Sequence, residues 1–247
     1  MPSQRIDKEL LSQKSRSKDK AEVFTPSWIC EKQNNLFDEN WLDIDEFAKN
    51  KIILKKNKDW KNYIDDTRLE MACGEAPYLA NRYDVVSGHI IPVKERIGLL
   101  DRKLRIISNF VDEEDEWYKM AVKAVQSIYA FEYQGDNVLL ARENILFDII
   151  EHYSEKFKND INSDFILEIA EILSWNIWQM DGLKLVIPNT CHAEEFSGLV
   201  LFGDEEPSQC KGCKENNLYL HNGIRCRIMD WKENKEIEFM SLIDGRL

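Results

Sequence analysis

The chain has 247 residues, enough for one large domain or for one domain with a small appendage. Its hydrophobic fraction of 43% excludes a wholly disordered protein, and its net charge of −12 excludes a generic basic protein that coats DNA. No apolar run is long enough to span a membrane, and residues 1–20 lack the apolar centre of a signal peptide. A cytoplasmic protein without a membrane partner is therefore expected.

The predicted elements start with a polar, mildly basic stretch over residues 1–20 and continue as short helices over residues 27–66. Residues 1–66 are therefore expected to form an N-terminal helical arm. The apolar segment 68–74 ends in glycine, which is typical of a strand that runs into a turn. Apolar residues at helical spacing then predict one or two helices over residues 91–126.

A second strand is predicted at Ser127–Tyr133, followed by an amphipathic helix from Asn137 to about Lys156. The segment Phe165–Leu173 continues as a helix, and Trp175–Met180 is a third predicted strand. Strands that alternate with helices favour an open, largely parallel α/β sheet, which we assign to residues 67–190.

The C-terminal part, residues 191–247, is rich in cysteine and alternates in the manner of strands at residues 199–202, 218–231 and 236–243. We expect these strands either to complete the sheet or to form a small zinc-binding β module. Four of the six cysteines lie in this part of the chain. The other two, Cys30 and Cys73, lie alone in apolar surroundings and are predicted to be buried thiols.

The cysteine spacing in the C-terminal part suggests a metal site. Nothing indicates secretion, so reduced thiols are expected rather than disulfides. Cys210 and Cys213 form a CxxC pair, which can supply two thiolates to one tetrahedral metal. Cys191 and Cys226 can complete a four-cysteine structural zinc site, and either of two histidines can substitute for one of them, namely His192 or His221. The alternative is a reduced, metal-free hairpin.

Three residues with suitable chemistry stand at or near the ends of the three predicted strands. Gly74 permits a tight turn whose backbone amides approach a ligand closely. Glu132 ends the second strand and can accept both hydroxyls of a ribose, while Asp181 follows the third and can accept from an adenine amino group. Because ligands of parallel sheets bind beyond the carboxyl ends of the strands, these residues together predict an adenosine pocket.

Four segments resemble a known family, the adenine-N6 DNA methyltransferases and methylase subunits of restriction–modification systems. Residues 69–78 (LEMACGEAPY) resemble the cofactor loop Asp-Pro-Ala-Cys-Gly-Ser-Gly of that family. Residues 131–144 (FEYQGDNVLLAREN) match its second motif at the Glu, Leu-Ala-Arg and Asn positions. Residues 22–26 (EVFTP) and 176–181 (NIWQMD) resemble its Phe-Thr-Pro and third motifs. The resemblance covers about residues 20–185.

The resemblance implies a Rossmann-like sheet that binds S-adenosylmethionine. On this interpretation Glu132 is the ribose ligand and Asp181 contacts the adenine ring. Phe24, Thr25 and Pro26 would close the pocket over the methionine end of the cofactor, although a threonine cap followed by proline is also an ordinary helix start. The family motifs also assign cofactor-binding positions in the loop and after the second strand, namely Glu70, Ala72, Cys73, Gly74 and Tyr133.

The sequence departs from the family pattern at several positions. Ala76 stands where the loop has its second glycine, and Glu70 replaces the usual aspartate. The segment between Gly74 and Glu132 is longer than one βαβ unit needs, so an insertion that includes the charged stretch 96–105 is expected. The Asn-Pro-Pro-Tyr motif that binds the flipped adenine is missing. Asn189 is the nearest candidate for its amide, and the alternative for Asn189 is a surface turn.

The sequence thus predicts an S-adenosylmethionine-dependent methyltransferase that acts on adenine N6 in DNA, within a restriction–modification or phage-defence system. A non-catalytic methyltransferase-like subunit, which binds cofactor or a partner protein, is the alternative because the catalytic motif is missing. A methyltransferase fold that uses the cofactor for different chemistry is a third interpretation. The acidic charge favours a basic partner subunit that supplies target recognition.

Overall fold

A computed structural model describes residues 25–192 and 209–243. Phe24 and the strand predicted at residues 199–202 lie outside the described residues. Within the two described ranges, no helix has both the length and the apolar character needed to cross a bilayer.

A parallel sheet of three strands forms the centre of the described fold. In spatial order the strands are β1 (Arg68–Met71), β2 (Ile128–Glu132) and β3 (Ile177–Gln179). Each lies within a segment predicted as a strand, so a mixed α/β fold with a parallel sheet is confirmed. β3 starts later than predicted, because Asn176 still belongs to the preceding helix and its side-chain amide donates to the carbonyls of Val125 and Ile128.

The helices that precede β3 follow the predicted order along the chain, whereas the two short C-terminal helices were not predicted. They are α1 (Ser27–Asp38), α2 (Ile44–Phe47), α3 (Trp60–Asp65), α4 (Leu99–Phe110), α5 (Glu114–Gln126), α6 (Gly135–Phe157), α7 (Ser163–Asn176), α8 (Lys211–Glu215) and α9 (Phe239–Ile243). Because α4 and α5 both lie between β1 and β2, two helices fill the segment for which an insertion is expected. Side chains of the first three helices, such as Cys30, Phe47 and Tyr63, are buried in the same hydrophobic cluster as those of α4 to α7.

The two faces of the sheet pack against different layers. Ile128, Ala130 and Ile177 belong to the large cluster formed with the helices. On the other face, Phe131 packs with a second cluster that includes Ile228 and Phe239 from the C-terminal part of the chain. The sheet is therefore covered by helices on one face and by the C-terminal segment on the other, as parallel strands require.

The C-terminal strands differ from the predicted ones. β4 (Arg227–Asp230) and β5 (Lys235–Glu238) pair with each other as an antiparallel hairpin, so they do not extend the parallel sheet. The predicted strand 218–231 begins only at Arg227, since the guanidinium of Arg225 donates to the carbonyls of Leu218, Tyr219 and His221 and holds the preceding segment in turns. After β5 the chain turns into α9 rather than continuing as a strand.

Replacing Trp117 by phenylalanine is expected to lower the free energy of unfolding by about 1–2 kcal/mol. The indole is fully buried, packs edge-on against Tyr153 and donates from Nε1 to Ser108 Oγ at 3.0 Å. Phenylalanine keeps the ring contacts but loses the hydrogen bond. Urea denaturation measures the change, and Trp28→Phe is the control, because Trp28 is 59% exposed. Equal effects of the two substitutions would contradict the prediction.

Candidate functional site

The loop after β1 has an unusual backbone. Ala72, Gly74 and Ala76 all have positive φ, at 54°, 56° and 59°. Glycine adopts this conformation freely, whereas alanine is strained in it. Residues with alternating backbone hand turn successive amide groups toward one side and form a concave site for acceptor groups. Such strain marks functional loops, and here it lies in the segment predicted to contact a cofactor.

Glu132 fastens this loop to the end of β2. Its Oε2 accepts from the backbone N–H of Gly74 at 2.9 Å, and its Oε1 accepts from that of Gln134 at 3.0 Å. The side chain is 7% exposed. An ionised carboxylate has about four acceptor positions, so each oxygen can accept one further hydrogen bond from a ligand.

Glu70 lies beneath the same loop. Burial raises the pKa of its carboxyl well above the usual range, although the backbone amides of Tyr78 and Leu79 donate to it. Its Oε2 has no hydrogen-bond partner within the described ranges. Burial also raises the pKa of the adjacent Cys73 thiol, and the nearby carboxylates of Glu70 and Glu132 add to this effect. Burial thus favours the protonated forms of both side chains beneath the loop.

The start of α1 contacts the segment that follows the loop. The backbone N–H of Ser27 donates to Asp84 Oδ2 at 2.9 Å, and the side-chain amide of Asn81 donates to Ser27 Oγ at 3.1 Å. Thr25 and Pro26 immediately precede this contact, and the Pro26 carbonyl accepts the first helical hydrogen bond from Ile29. Two residues of the predicted Phe-Thr-Pro motif thus lie beside the loop region, while they also start a helix.

Asp181 follows β3 at the same edge of the sheet. Its Oδ1 accepts from the backbone N–H groups of Leu183 and Lys184 at 3.0 and 3.2 Å, and its Oδ2 lies 3.6 Å from Lys184 Nζ. The backbone N–H of Met180 donates to the Glu132 carbonyl at 2.8 Å. Together with the contact between Glu132 and Gly74, this places the three predicted strand ends side by side.

Two residues of the motif after β2 support the site rather than line it. The Asn144 side chain donates to the carbonyls of Glu75 and Ala80 and so holds the segment after β1. The Arg142 guanidinium donates to the carbonyls of Ser174 and Ile177 and holds the start of β3. Their supporting role could not be seen from the sequence, because each acts on a segment far away along the chain. Tyr133 next to Glu132 is 44% exposed.

Asn189 is exposed, in a turn. Its φ is 63°, a left-handed conformation that asparagine tolerates better than most residues. Thr190 closes the turn through its backbone N–H and its hydroxyl, which both donate to the Ile187 carbonyl. The turn leads directly to Cys191, so the geometry agrees with the surface-turn interpretation of this residue.

A group of four side chains from the C-terminal part can hold a metal ion, namely Cys191, Cys210, Cys213 and His221. Cys226, predicted as a ligand, is not a member. It is 1% exposed, packs in the apolar cluster behind β2, and has its pKa raised to about 12 by burial. His221 takes its place, whereas His192 is exposed and lies outside the group. The sequence spacing alone allows either His192 or His221 to replace a cysteine ligand, and the structure selects His221.

Within the Cys3His group the environment favours the thiolate at Cys210, whereas burial and the hydrogen bond with Cys210 raise the pKa of Cys213. Burial acts to raise the pKa of Cys210, but hydrogen bonds from the backbone amides of Cys213 and Asn222 outweigh it and lower the pKa to about 6. Lys184 lies near this group and near Asp181. Partial burial acts to lower its pKa, but the charges of Cys213, Asp181 and Cys191 raise it overall.

A second group of possible ligands, Asp101, Asp148 and His152, is a buried ion-pair network. Arg96 Nη1 lies 2.8 Å from Asp148 Oδ1 and supplies the cation. Asp101 Oδ2 accepts from the backbone N–H groups of Asn81 and Gly98. Burial lowers the pKa of His152 to about 4, so its imidazole is neutral. The network joins α4 to α6. Because the Arg96 guanidinium already pairs with Asp148, the network needs no metal ion to balance its negative charge.

An apolar cavity lies elsewhere in the described part of the chain. It has a volume of about 500 Å³ between the hairpin and the sheet, and its lining includes Leu69, Tyr129, Ile228 and Phe239. Gly74, Glu132 and Asp181 do not line it. Charged side chains such as Asp65, Lys123 and Asp230 also line this cavity. We take the strand ends as the candidate site because the predicted ligand-binding residues Gly74, Glu132 and Asp181 lie together there.

No family model matches the sequence, and comparisons with curated proteins and with solved structures gave no significant match.

Proposed function

We propose that this chain binds S-adenosylmethionine at the carboxyl ends of β1, β2 and β3 and is a methyltransferase that acts on adenine N6 in DNA. The contact of Glu132 with the Gly74 loop carries the proposal. It joins an acidic strand end to a glycine turn at the edge of a parallel sheet where nucleotides bind. A restriction–modification or phage-defence system is the setting that the sequence resemblance implies.

The residues present fit the cofactor. Glu132 keeps acceptor positions for the ribose hydroxyls, and the Gly74 N–H, which donates to Glu132 Oε2, holds the loop close to these positions. Asp181 is 9% exposed, its Oδ1 accepts from two backbone N–H groups, and its Oδ2 would accept from an adenine amine. Thr25 and Pro26 immediately precede Ser27, which contacts Asn81 and Asp84 after the loop, and they would cover the methionine end.

The bound cofactor supplies a methyl group activated by its sulfonium. The chain contributes position: Glu132 fixes the ribose, Asp181 orients the adenine and the Gly74 loop excludes water from the pocket. Holding two reactants in line is enough to account for a large part of such a reaction's acceleration. DNA is the proposed substrate, and the net charge of −12 supports a basic partner subunit that grips the duplex.

A non-catalytic, cofactor-binding subunit is the second candidate, and Asn189 is the observation that favours it. Asn189 is exposed in a turn with φ of 63° and leads into the Cys3His group. Nothing adjacent to it provides the Pro-Pro-Tyr part of the adenine-binding motif. In this case the pocket would bind cofactor, and the partner subunit would carry the methyl-accepting site.

Two measurements separate these functions. Calorimetric titration with S-adenosylmethionine and with S-adenosylhomocysteine is expected to show saturable binding of one molecule per chain. Absence of binding to both would refute the pocket. Transfer of a labelled methyl group to unmethylated DNA then tests the enzyme. Cofactor binding without methyl transfer by the chain alone would favour the non-catalytic subunit.

A further inference from the structure

Three thiols converge on a single ring nitrogen. The Sγ atoms of Cys191, Cys210 and Cys213 lie 3.7, 3.5 and 3.7 Å from His221 Nδ1. All four ligand atoms lie within 4.8 Å of one another. One imidazole nitrogen accepts at most one hydrogen bond, so hydrogen bonding cannot account for three thiols around it.

A tetrahedral metal ion accounts for these distances. With metal–sulfur bonds of about 2.3 Å and a metal–nitrogen bond of about 2.0–2.1 Å, the sulfur–nitrogen edge of a tetrahedron is about 3.6 Å. The three observed distances of 3.5–3.7 Å equal this edge closely. The side chains are therefore arranged as a coordination shell around a common centre.

The local backbone is built for this approach. Cys210 and Cys213 form a knuckle in which the Cys213 N–H points to Cys210 Sγ at 3.4 Å. A Cβ on Gly212 would lie 2.7 Å from the His221 ring, so glycine is needed for the ring to reach the knuckle. A Cβ on Gly223 would lie 2.7 Å from Thr190 Oγ1 and 3.1 Å from Cys191 Sγ. Both glycines stand where a side chain would displace a ligand.

We propose that Cys191, Cys210, Cys213 and His221 hold one Zn²⁺ in a closed structural site. Thiolate and imidazole ligands in a tetrahedron favour zinc over hard cations such as Mg²⁺ and Ca²⁺. Four protein ligands leave no open position for a substrate, so the ion stabilises the fold and does not react. Zinc with three thiolates carries one net negative charge, which the neighbouring ammonium of Lys184 balances.

The ion would join three separate parts of the chain. Cys191 follows the segment that begins at Asp181, the knuckle forms the first turn of α8, and His221 precedes the hairpin. The backbone already connects them weakly: the Ile187 N–H donates to the Ile224 carbonyl at 2.8 Å, and two isolated bridges link Val186 to Asp181 and to Arg225. Zinc would thus fix the turn at the end of β3 against the C-terminal hairpin.

Metal analysis of the full chain, purified with zinc present and then desalted, tests the proposal. We expect about one zinc per chain. His221→Ala and Cys210→Ala are each expected to lower zinc affinity at least about 100-fold in competition with a chelating dye. His192→Ala is the matched control, because His192 is exposed and next to Cys191, and it should keep wild-type affinity. His221→Cys should keep the ion, since four thiolates also bind zinc.

Cobalt substitution of the wild-type chain gives a readout that does not depend on the variants folding. We expect the intense visible absorption and the thiolate charge-transfer band of tetrahedral Co²⁺. A weak octahedral spectrum would refute the coordination shell. So would a zinc content far below one ion per chain in the wild type, or an equal loss of zinc affinity in His221→Ala and His192→Ala. None of these results depends on whether the chain binds S-adenosylmethionine.

Discussion

Replacing Arg102 by methionine is expected to lower the free energy of unfolding by about 3–5 kcal/mol. The guanidinium is fully buried. Its Nη1 donates to Asp38 Oδ2 at 3.1 Å, its Nε donates to the Ile97 carbonyl, and its plane lies 4.2 Å from the centre of the Phe47 ring. Methionine fills the space beside the ring but leaves the buried carboxylate and carbonyl with fewer donors.

Chemical denaturation measures this change. The matched control is Arg227→Met, which breaks an exposed ion pair with Glu236 on the hairpin and should leave the midpoint unchanged. Adding Asp38→Leu to Arg102→Met should cost less than the sum of the two single substitutions, since both remove the same Arg102–Asp38 contact while Arg68 remains paired with Asp38 in the single Arg102 variant. Additive effects, or a single-variant midpoint equal to that of the control, would show that the pair is not buried as described.

The same residues show what the sequence could not reveal. The stretch 96–105 reads as a charged insertion, yet Arg96, Arg102 and Lys103 are buried. Their partners are distant along the chain: Asp38 lies 64 positions before Arg102, and Asp148 lies 52 positions after Arg96. No local pattern distinguishes such a network from a solvated helix face, because the pairing arises only when α1, α4 and α6 pack together.

The elements and the strand ends were predictable for a clear reason. Apolar spacing predicts the segments in which β1, β2 and β3 lie. Gly74, Glu132 and Asp181 lie close together because the carboxyl ends of parallel strands meet at one edge of the sheet. The metal ligands were predicted in part. Spacing identifies Cys191 and the CxxC pair as ligands. It does not decide between Cys226 and His221 for the fourth position, because that depends on the hairpin's orientation, which places Cys226 in the apolar cluster.

Replacing Glu132 by glutamine is expected to weaken binding of S-adenosylmethionine about 10–100-fold. The carboxylate accepts from the backbone N–H groups of both Gly74 and Gln134. A side-chain amide has one oxygen, so its NH₂ group must face one of these donors and leave that buried N–H unpaired. The loop then loses the contact that sets its position, and the ribose loses a charged acceptor.

Calorimetry and thermal unfolding of the same preparations separate the two consequences. Glu132→Gln should lower the free energy of unfolding by about 1–3 kcal/mol, the cost of one unpaired buried N–H, and so lower the melting temperature. It should also lower cofactor affinity as stated. Glu168→Gln is the matched control, because Glu168 is exposed on α7, and both of its readouts should equal those of the wild type. Unchanged affinity with a lowered melting temperature would mean that Glu132 only fastens the loop, and the ribose would then require a different acceptor at this edge.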